Sequence, residues 1–267
     1  MKKICMLILC SVGAETSFAQ DLTDKWSGPY FGAFISQTEM NLKTNTKGSP
    51  RGPSPTSPVR AAISSAMVNA ASSSDTIRER DSAPGIAFGY LWQKNSWVYG
   101  LEADFQGGAK QSSAQSRTSA IQGYPNTLTT ELDRKDELHY LASLRGKFGY
   151  AYGNWLAYLT AGPAYGKIST SSHISGSLVN GLTVAGDKAS NSDQRFGWTA
   201  GAGLEYAVSN DFRLRAEYVY YDLGSMNLDS SYQTTLNTTQ AVVASANTRT
   251  NTEWRGGSTR IGLSYHF

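Results

Sequence analysis

Apolar side chains recur at every second position through much of this chain, in stretches of about ten residues separated by polar connections. In 96–106, Trp97, Tyr99, Leu101, Ala103 and Phe105 share one face of an extended strand, with Val98, Gly100, Glu102 and Asp104 opposite. The same alternation runs through 85–93, with Ile86, Phe88, Tyr90 and Trp92 on one face. In 138–150, Leu144, Gly146, Phe148 and Tyr150 alternate with Ser143, Arg145 and Lys147. In 196–206, Phe196, Trp198, Leu204 and Tyr206 face away from Thr199 and Glu205. In 212–220, Phe212, Leu214, Tyr218 and Tyr220 oppose Arg213, Arg215 and Glu217. The last strand sets Ile261, Leu263, Tyr265 and Phe267 against Arg260, Ser264 and His266. Stretches 29–37 and 155–166 complete a set of eight, with less definite facing. Pro163 cannot donate to a ladder, so a bulge is expected there.

Alternation alone does not name the solvent, because a soluble sandwich also has one apolar face. The connections decide. Three are tight, at 94–95, 151–154 and 209–211, and carry Asn, Gly or Asp. Four are long and polar, at about 40–81, 107–136, 167–192 and 223–254. Short turns at one end and long loops at the other describe an outer-membrane barrel with its short turns in the periplasm. Trp92, Trp97, Tyr150, Tyr152, Trp155, Tyr206, Phe212 and Tyr265 cluster near the short turns or the last residue, as an interfacial aromatic belt would. The fold expected is therefore all-β: an eight-stranded antiparallel transmembrane barrel with short periplasmic turns and long extracellular loops. The loops are rich in Ser, Thr, Asn and Gln and read as solvated coil. In the first, Val59, Ile63, Met67 and Ala70 recur at helical spacing and suggest one short helix.

At the N-terminus, Lys2 and Lys3 precede an apolar run from Ile4 to Cys10, and Ser17, Phe18 and Ala19 form a small-residue cleavage site. Residues 1–19 read as a cleaved signal and 20–267 as the barrel domain. Both cysteines fall in the signal, so the mature chain offers no disulfide or cysteine–zinc site. The formal charge of +3 becomes +2 once Lys2, Lys3 and Glu15 are removed, too mild for a nucleic-acid partner. The mean hydropathy of −0.37 would exclude helical spans but not barrel strands, which are apolar on one side only.

Several segments resemble one family. These are Trp26-Ser27-Gly28-Pro29-Tyr30-Phe31-Gly32, Gly89-Tyr90-Leu91-Trp92-Gln93 and Trp97-Val98-Tyr99-Gly100-Leu101-Glu102-Ala103-Asp104. Gly197-Trp198-Thr199-Ala200-Gly201-Ala202-Gly203-Leu204-Glu205-Tyr206 and Leu214-Arg215-Ala216-Glu217-Tyr218 join them. Together they are similar to the strands of the Omp25/Omp31-like small outer-membrane barrel (porin) family of alphaproteobacteria, which includes hemin-binding members. The resemblance implies an eight-stranded, surface-exposed envelope protein and leaves the ligand open.

The chemistry-bearing residues are the charges opposite the apolar face: Glu102, Asp104, Arg145, Lys147, Glu205, Arg213, Arg215, Glu217 and Arg260. Eight strands leave room only for side chains, so these charges should pair inside the bore; the alternative is a charged lining to a narrow channel. His139, His173 and His266 stand in no nucleophile-elbow or metalloprotease motif, so no enzyme and no cofactor is expected. By parity, His139 and His266 should both face inward. His173, Tyr232 and Met67 are the loop residues that surface hemin could use. Phe267, a terminal aromatic, reads as a signal for the barrel-assembly machinery. The expected function is a structural envelope barrel whose loops contact a host or ligand, with a porin as the alternative. Its expected surroundings are outer-membrane lipid and lipopolysaccharide.

Overall fold

The structure is a computed structural model that describes residues 25–50, 61–62, 65, 68–69, 72–120, 127–178, 182–186, 189–236 and 242–267. The expected signal lies outside them. So do Val59, Ile63, Met67 and Ala70, although Ala61, Ala62, Ser65, Val68 and Asn69 beside them are helical. Nine antiparallel segments form the sheet: β1 (Gly28–Pro50), β2 (Ser73–Lys94), β3 (Trp97–Ala120), β4 (Thr127–Tyr152), β5 (Trp155–Leu178), β6 (Leu182–Gly186), β7 (Ala189–Ala207), β8 (Phe212–Leu236) and β9 (Val242–His266). Each long strand pairs with its neighbours in sequence, and β1 pairs with β9, which closes a ring of eight. The short β6 pairs with both β5 and β8 and continues the sixth wall strand above β7. Closure matters because a bilayer offers no water to an open strand edge.

The alternation sorts side chains as the sequence predicts. Ile86, Phe88, Leu101, Leu144, Phe148, Leu204, Leu214 and Ile261 point outward and are exposed, while Val98, Leu156, Val219 and the charged positions are buried in the bore. Even-numbered residues face inward in the two strands of indefinite facing: Tyr30, Phe34 and Ser36 in β1, and Leu156, Tyr158 and Thr160 in β5. Two aromatic belts bound the outward apolar band. The one near the short turns includes Trp92 against Tyr99, Trp97 against Tyr150 and Trp155 against Tyr206, with centroids 5.9, 5.2 and 4.7 Å apart. The other runs Phe105–Tyr140–Tyr165–Phe196, with centroids 5.6, 6.1 and 4.7 Å apart, and is joined by Trp198 on Tyr220 at 5.4 Å. Eight residues separate Trp97 from Phe105 and ten separate Phe196 from Tyr206. At about 3.3 Å per residue and a tilt of about 40°, the belts stand about 20–25 Å apart, the height of an outer-membrane apolar band.

The long connections are not coil. Strands run 19 to 26 residues, about twice what a tilted strand needs to cross a membrane, and they continue through most of 40–50, 73–81, 107–120, 127–136, 167–178 and 223–254. Among the described residues, β2 pairs with β3 only as far as Gly85↔Gln106, and β7 with β8 only as far as Trp198↔Asp222. Beyond those points the wall parts into two groups of strands, β2-β1-β9-β8 and β3-β4-β5-β7, which β6 joins again at the outer end by pairing with β5 and β8. Gly224, at φ 77°, supplies the left-handed turn that shifts the register between Asp222 and Ser225 at one division. Between the sheets, Met40, Leu42, Tyr221, Leu223, Met226 and Trp254 of the first pack with Leu138, Leu141, Ala164 and Ile168 of the second.

Two local expectations are corrected. No bulge forms at Pro163. The register is the same on both sides of it, Ser143↔Ala164 and Gly146↔Ala161, and pairing simply lapses for Leu144 and Arg145. The register shift falls instead between Leu138 and Tyr140. The extra residue, His139, reverses the parity of β4, so His139 faces outward rather than into the bore.

Interior rings lie over glycines of the neighbouring strand. A Cβ at Gly89 would stand 2.5 Å from Tyr30 Cζ, and one at Gly203 the same distance from Tyr158 Cζ. Gly89→Ala should therefore displace Tyr30 and lower stability by about 1–3 kcal/mol, measured as the urea midpoint of heat-modifiable gel migration. Combining it with Tyr30→Ala should cost less than the sum of the two single changes; strict additivity would contradict the packing described.

Candidate functional site: the charged layer in the bore

Inward charges on β3, β4, β8 and β9 meet at mid-height because strand parity places Glu102, Asp104, Arg145, Arg215, Glu217 and Arg260 on the bore face, all buried. Glu102 lies directly opposite Arg145 in the ladder, and Glu217 opposite Arg260. Arg145 is the hub. It donates to Glu102, to Asp104 Oδ2 at 3.0 Å, to Glu217 Oε1 at 2.7 Å across the bore, and to Thr160 Oγ1 at 2.9 Å. Arg215 grips Glu102 with both nitrogens, at 2.6 and 2.7 Å, and Glu217 at 2.7 Å. The Tyr30 hydroxyl donates to Glu102 at 2.5 Å, and that of Ser143 to Asp104. Three arginines and three carboxylates make the cluster neutral, which a low-dielectric bore requires.

Arg260 is held differently. Its nitrogens stand 3.1 Å from Asp104 and 3.7 Å from Glu217, but none is aligned for a hydrogen bond. Its guanidinium lies 4.8 Å from the Phe34 ring centroid, so stacking holds it as much as charge does. Lys147 and Glu205 form a separate pair at 2.5 Å, with the ammonium 3.9 Å from the Tyr158 ring centroid. Arg213 joins neither group. It donates to the carbonyls of Ser209 and Asn210 at 2.8 Å and of Lys25 at 2.9 Å, clamping the last short turn, and lies 5.2 Å from the Trp26 ring. Tyr30, Phe34, Tyr158 and Thr160 complete the layer. Pattern reading missed them because the facing of their strands was indefinite.

Apolar clusters lie on both sides of this layer. Below it, toward the short turns, Trp26, Tyr30, Leu91, Val98, Ala151, Leu156, Tyr158 and Ala207 pack together, and His266 stacks on Tyr30 at 5.0 Å. Above it lies the cluster between the two sheets. The order along β4 makes the layering plain: Ala151, then Lys147 and Arg145, then Leu141 and Leu138.

Outside the bore, His139 Nε2 lies 2.8 Å from Ser169 Oγ, and the nearby Glu137 carboxylate approaches that same nitrogen at 3.9 Å. A serine–histidine–acid relay needs the acid on the other ring nitrogen, so this pair is not arranged as one. Of the residues considered for hemin, His173 lies in β5 and Tyr232 in β8, and Met67 is outside the described residues. Phe267 is exposed on the lipid face, edge-on to Tyr265 at 4.9 Å, with its N–H bonded to Pro29 O at 3.1 Å.

Removing the hub should leave three carboxylates short of a partner. Arg145→Met should cost about 3–5 kcal/mol in urea unfolding, since the layer is closed to water. Arg260→Met, which breaks no aligned hydrogen bond, should cost clearly less. Equal losses would show that charge count, not geometry, sets the stability of the layer.

Comparison with known proteins agrees with this architecture. Residues 5–267 match the outer membrane protein beta-barrel domain family. The 31 kDa outer-membrane immunogenic protein of Brucella melitensis is 35% identical over 146 residues, 54% of this chain and 55% of that protein. The 22 kDa outer membrane protein of Rhizobium leguminosarum is 30% identical over 141 residues, 53% of this chain and 52% of that protein. The 25 kDa outer-membrane immunogenic protein of Brucella abortus is 27% identical over 212 residues, 79% of this chain and 72% of that protein. The match thus spans about half the length of the first two relatives. The closed eight-stranded ring, its aromatic belts and these similarities together make the chain a member of the outer membrane protein β-barrel family, of the Omp25/Omp31 kind, resident in the outer membrane.

Proposed function

We propose that the protein is a structural element of the outer membrane: a barrel with a closed bore that carries a two-sheet extension on the cell surface for contact with ligands or host molecules. The observation that carries this reading is the layering of the bore, a neutral, hydrogen-bonded ion cluster held between two apolar clusters. A hydrated ion would have to displace both clusters and break a network in which Arg145 and Arg215 each bridge Glu102 and Glu217. The porin alternative has no such support, because open aqueous channels belong to barrels of about 16 strands.

Purified, refolded protein in a planar bilayer should show at most brief, small currents. Steady, large conductance would replace the closed-bore reading with the channel. Orientation has its own test. With no other cysteine expected in the mature chain, Lys47→Cys should react with a membrane-impermeant maleimide on intact cells, and Asn95→Cys only after permeabilisation. The reverse pattern would turn the barrel upside down.

A further inference from the structure

The outward face of β1, β9 and β8 carries a three-by-three grid of polar side chains well above the outer aromatic belt. In register it reads Asn45, Asn251 and Asn227; then Lys47, Arg249 and Asp229; then Ser49, Asn247 and Ser231. The face is concave and forms a recess of about 940 Å³. Ser72, which accepts a hydrogen bond from Gly48 N–H at 3.1 Å, holds the chain after the helical residues against the same end of β1. Among the described residues no aromatic or aliphatic side chain lines the recess, which suits a polar occupant.

Its charges are incompletely matched. Arg249 bonds Asp229 on the β8 side, at 2.9 Å through Nε. On its other side it lies directly opposite Lys47 in the ladder, and Lys47 has no acidic partner among the described residues. Like charges opposite one another across a ladder destabilise the pair. An anion seated between Lys47 and Arg249 would remove that repulsion, with the Asn45 and Asn251 amides and the Ser49 hydroxyl beside it to bond sugar hydroxyls.

Height selects the source. From Gly257, paired with Tyr220 of the outer belt, to Arg249 is eight residues, about 26 Å along the strand and about 20 Å of height at a tilt of about 40°. Phosphates of a lipid headgroup end lower than this. The saccharide layer above them does not, and the recess opens sideways into that layer rather than upward. We propose that this recess binds the anionic core saccharides of lipopolysaccharide in the surrounding leaflet, through Lys47 and Arg249. The proposal rests on the outward orientation of the extension.

Binding in detergent micelles tests it with three probes: lipopolysaccharide bearing a complete core, lipid A without the core, and a sulfated heparin oligosaccharide. Heat-modifiable migration verifies that each variant is folded. Lys47→Gln combined with Arg249→Gln should weaken binding of core-bearing lipopolysaccharide by roughly tenfold or more and leave lipid A unchanged. Asp229→Asn should strengthen core binding, because it removes the carboxylate that competes for Arg249; a purely structural pair would predict the opposite. Unchanged core binding in the double variant would overturn the proposal, as would an equal loss for lipid A. Binding of the sulfated oligosaccharide with no core-dependent difference would also overturn it, in favour of a soluble glycan. Maleimide labelling of Lys47→Cys on cells whose lipopolysaccharide lacks the core separates the two ideas: labelling there without core binding in micelles sinks only the recess, whereas no labelling sinks the orientation.

Discussion

The bore of an eight-stranded barrel is too narrow for an open aqueous channel and too wide to leave empty, and much of this structure follows from how that space is filled. Arg145 is the answer at mid-height. One guanidinium reaches three carboxylates on β3 and β8 and a hydroxyl on β5, so a single side chain ties together opposite walls of the ring. The geometry succeeds only because neighbours are small or flat. Tyr30 lies over Gly89, Tyr158 over Gly203 and Phe34 over Gly85, and each glycine gives a ring the depth it needs without pushing the charges apart. A hydrophobic filling could be as stable or more so. What the polar filling adds is a fixed register, because Glu102 and Glu217 find their partners in only one alignment of the strands.

The same strands face three solvents along their length. Between the belts they see lipid outside and a dry bore inside, and the residue pattern is apolar against charged. Beyond Phe105, Tyr140, Tyr165 and Phe196 the outside is water, and the wall no longer needs to be continuous. There the ring parts between β2 and β3 and between β7 and β8 into two walls that pack face to face, joined again only at the outer end by β6. The bilayer enforces closure and water relaxes it. The change from ring to paired sheets therefore marks the membrane boundary as clearly as the aromatic belt does.

This also explains what could be read from the chain beforehand. Where one face met lipid, period-two alternation identified the strands, the facing of six of them and the nine inward charges, because Trp97, Tyr99, Leu101 and Phe105 could not share a side with Glu102 and Asp104. Outside the membrane both faces are polar, the contrast vanishes, and strands such as 40–50 and 242–254 read as coil. A weaker signal was present: Thr248, Thr250 and Thr252 alternate as buried β-branched residues opposite outward Asn247, Arg249 and Asn251. The outer belt was hidden for another reason. Its members sit on different strands and become neighbours only once register is known. The outward turn of His139 depends on one inserted residue, which no periodicity announces. Pairing within the charged layer was equally closed to inspection: Glu205 lies opposite Arg215 in the ladder yet bonds Lys147.

Arg213 and Trp26 show how the lower end is finished without more charge. Arg213 directs its guanidinium to backbone carbonyls, among them that of Lys25, and covers the ring of Trp26, whose backbone N–H donates to Gln93 Oε1 at 2.9 Å. The residues leading into β1 are thereby drawn under the mouth of the barrel, and Trp26 closes it beside His266. An arginine that serves carbonyls needs no acid, so the ion cluster above can be neutral at three against three while the described charges inside the bore between the two belts number five bases and four acids. The odd cation belongs where the chain turns toward water, and its neutral partners keep it from drawing a carboxylate out of the layer on which the closed bore depends.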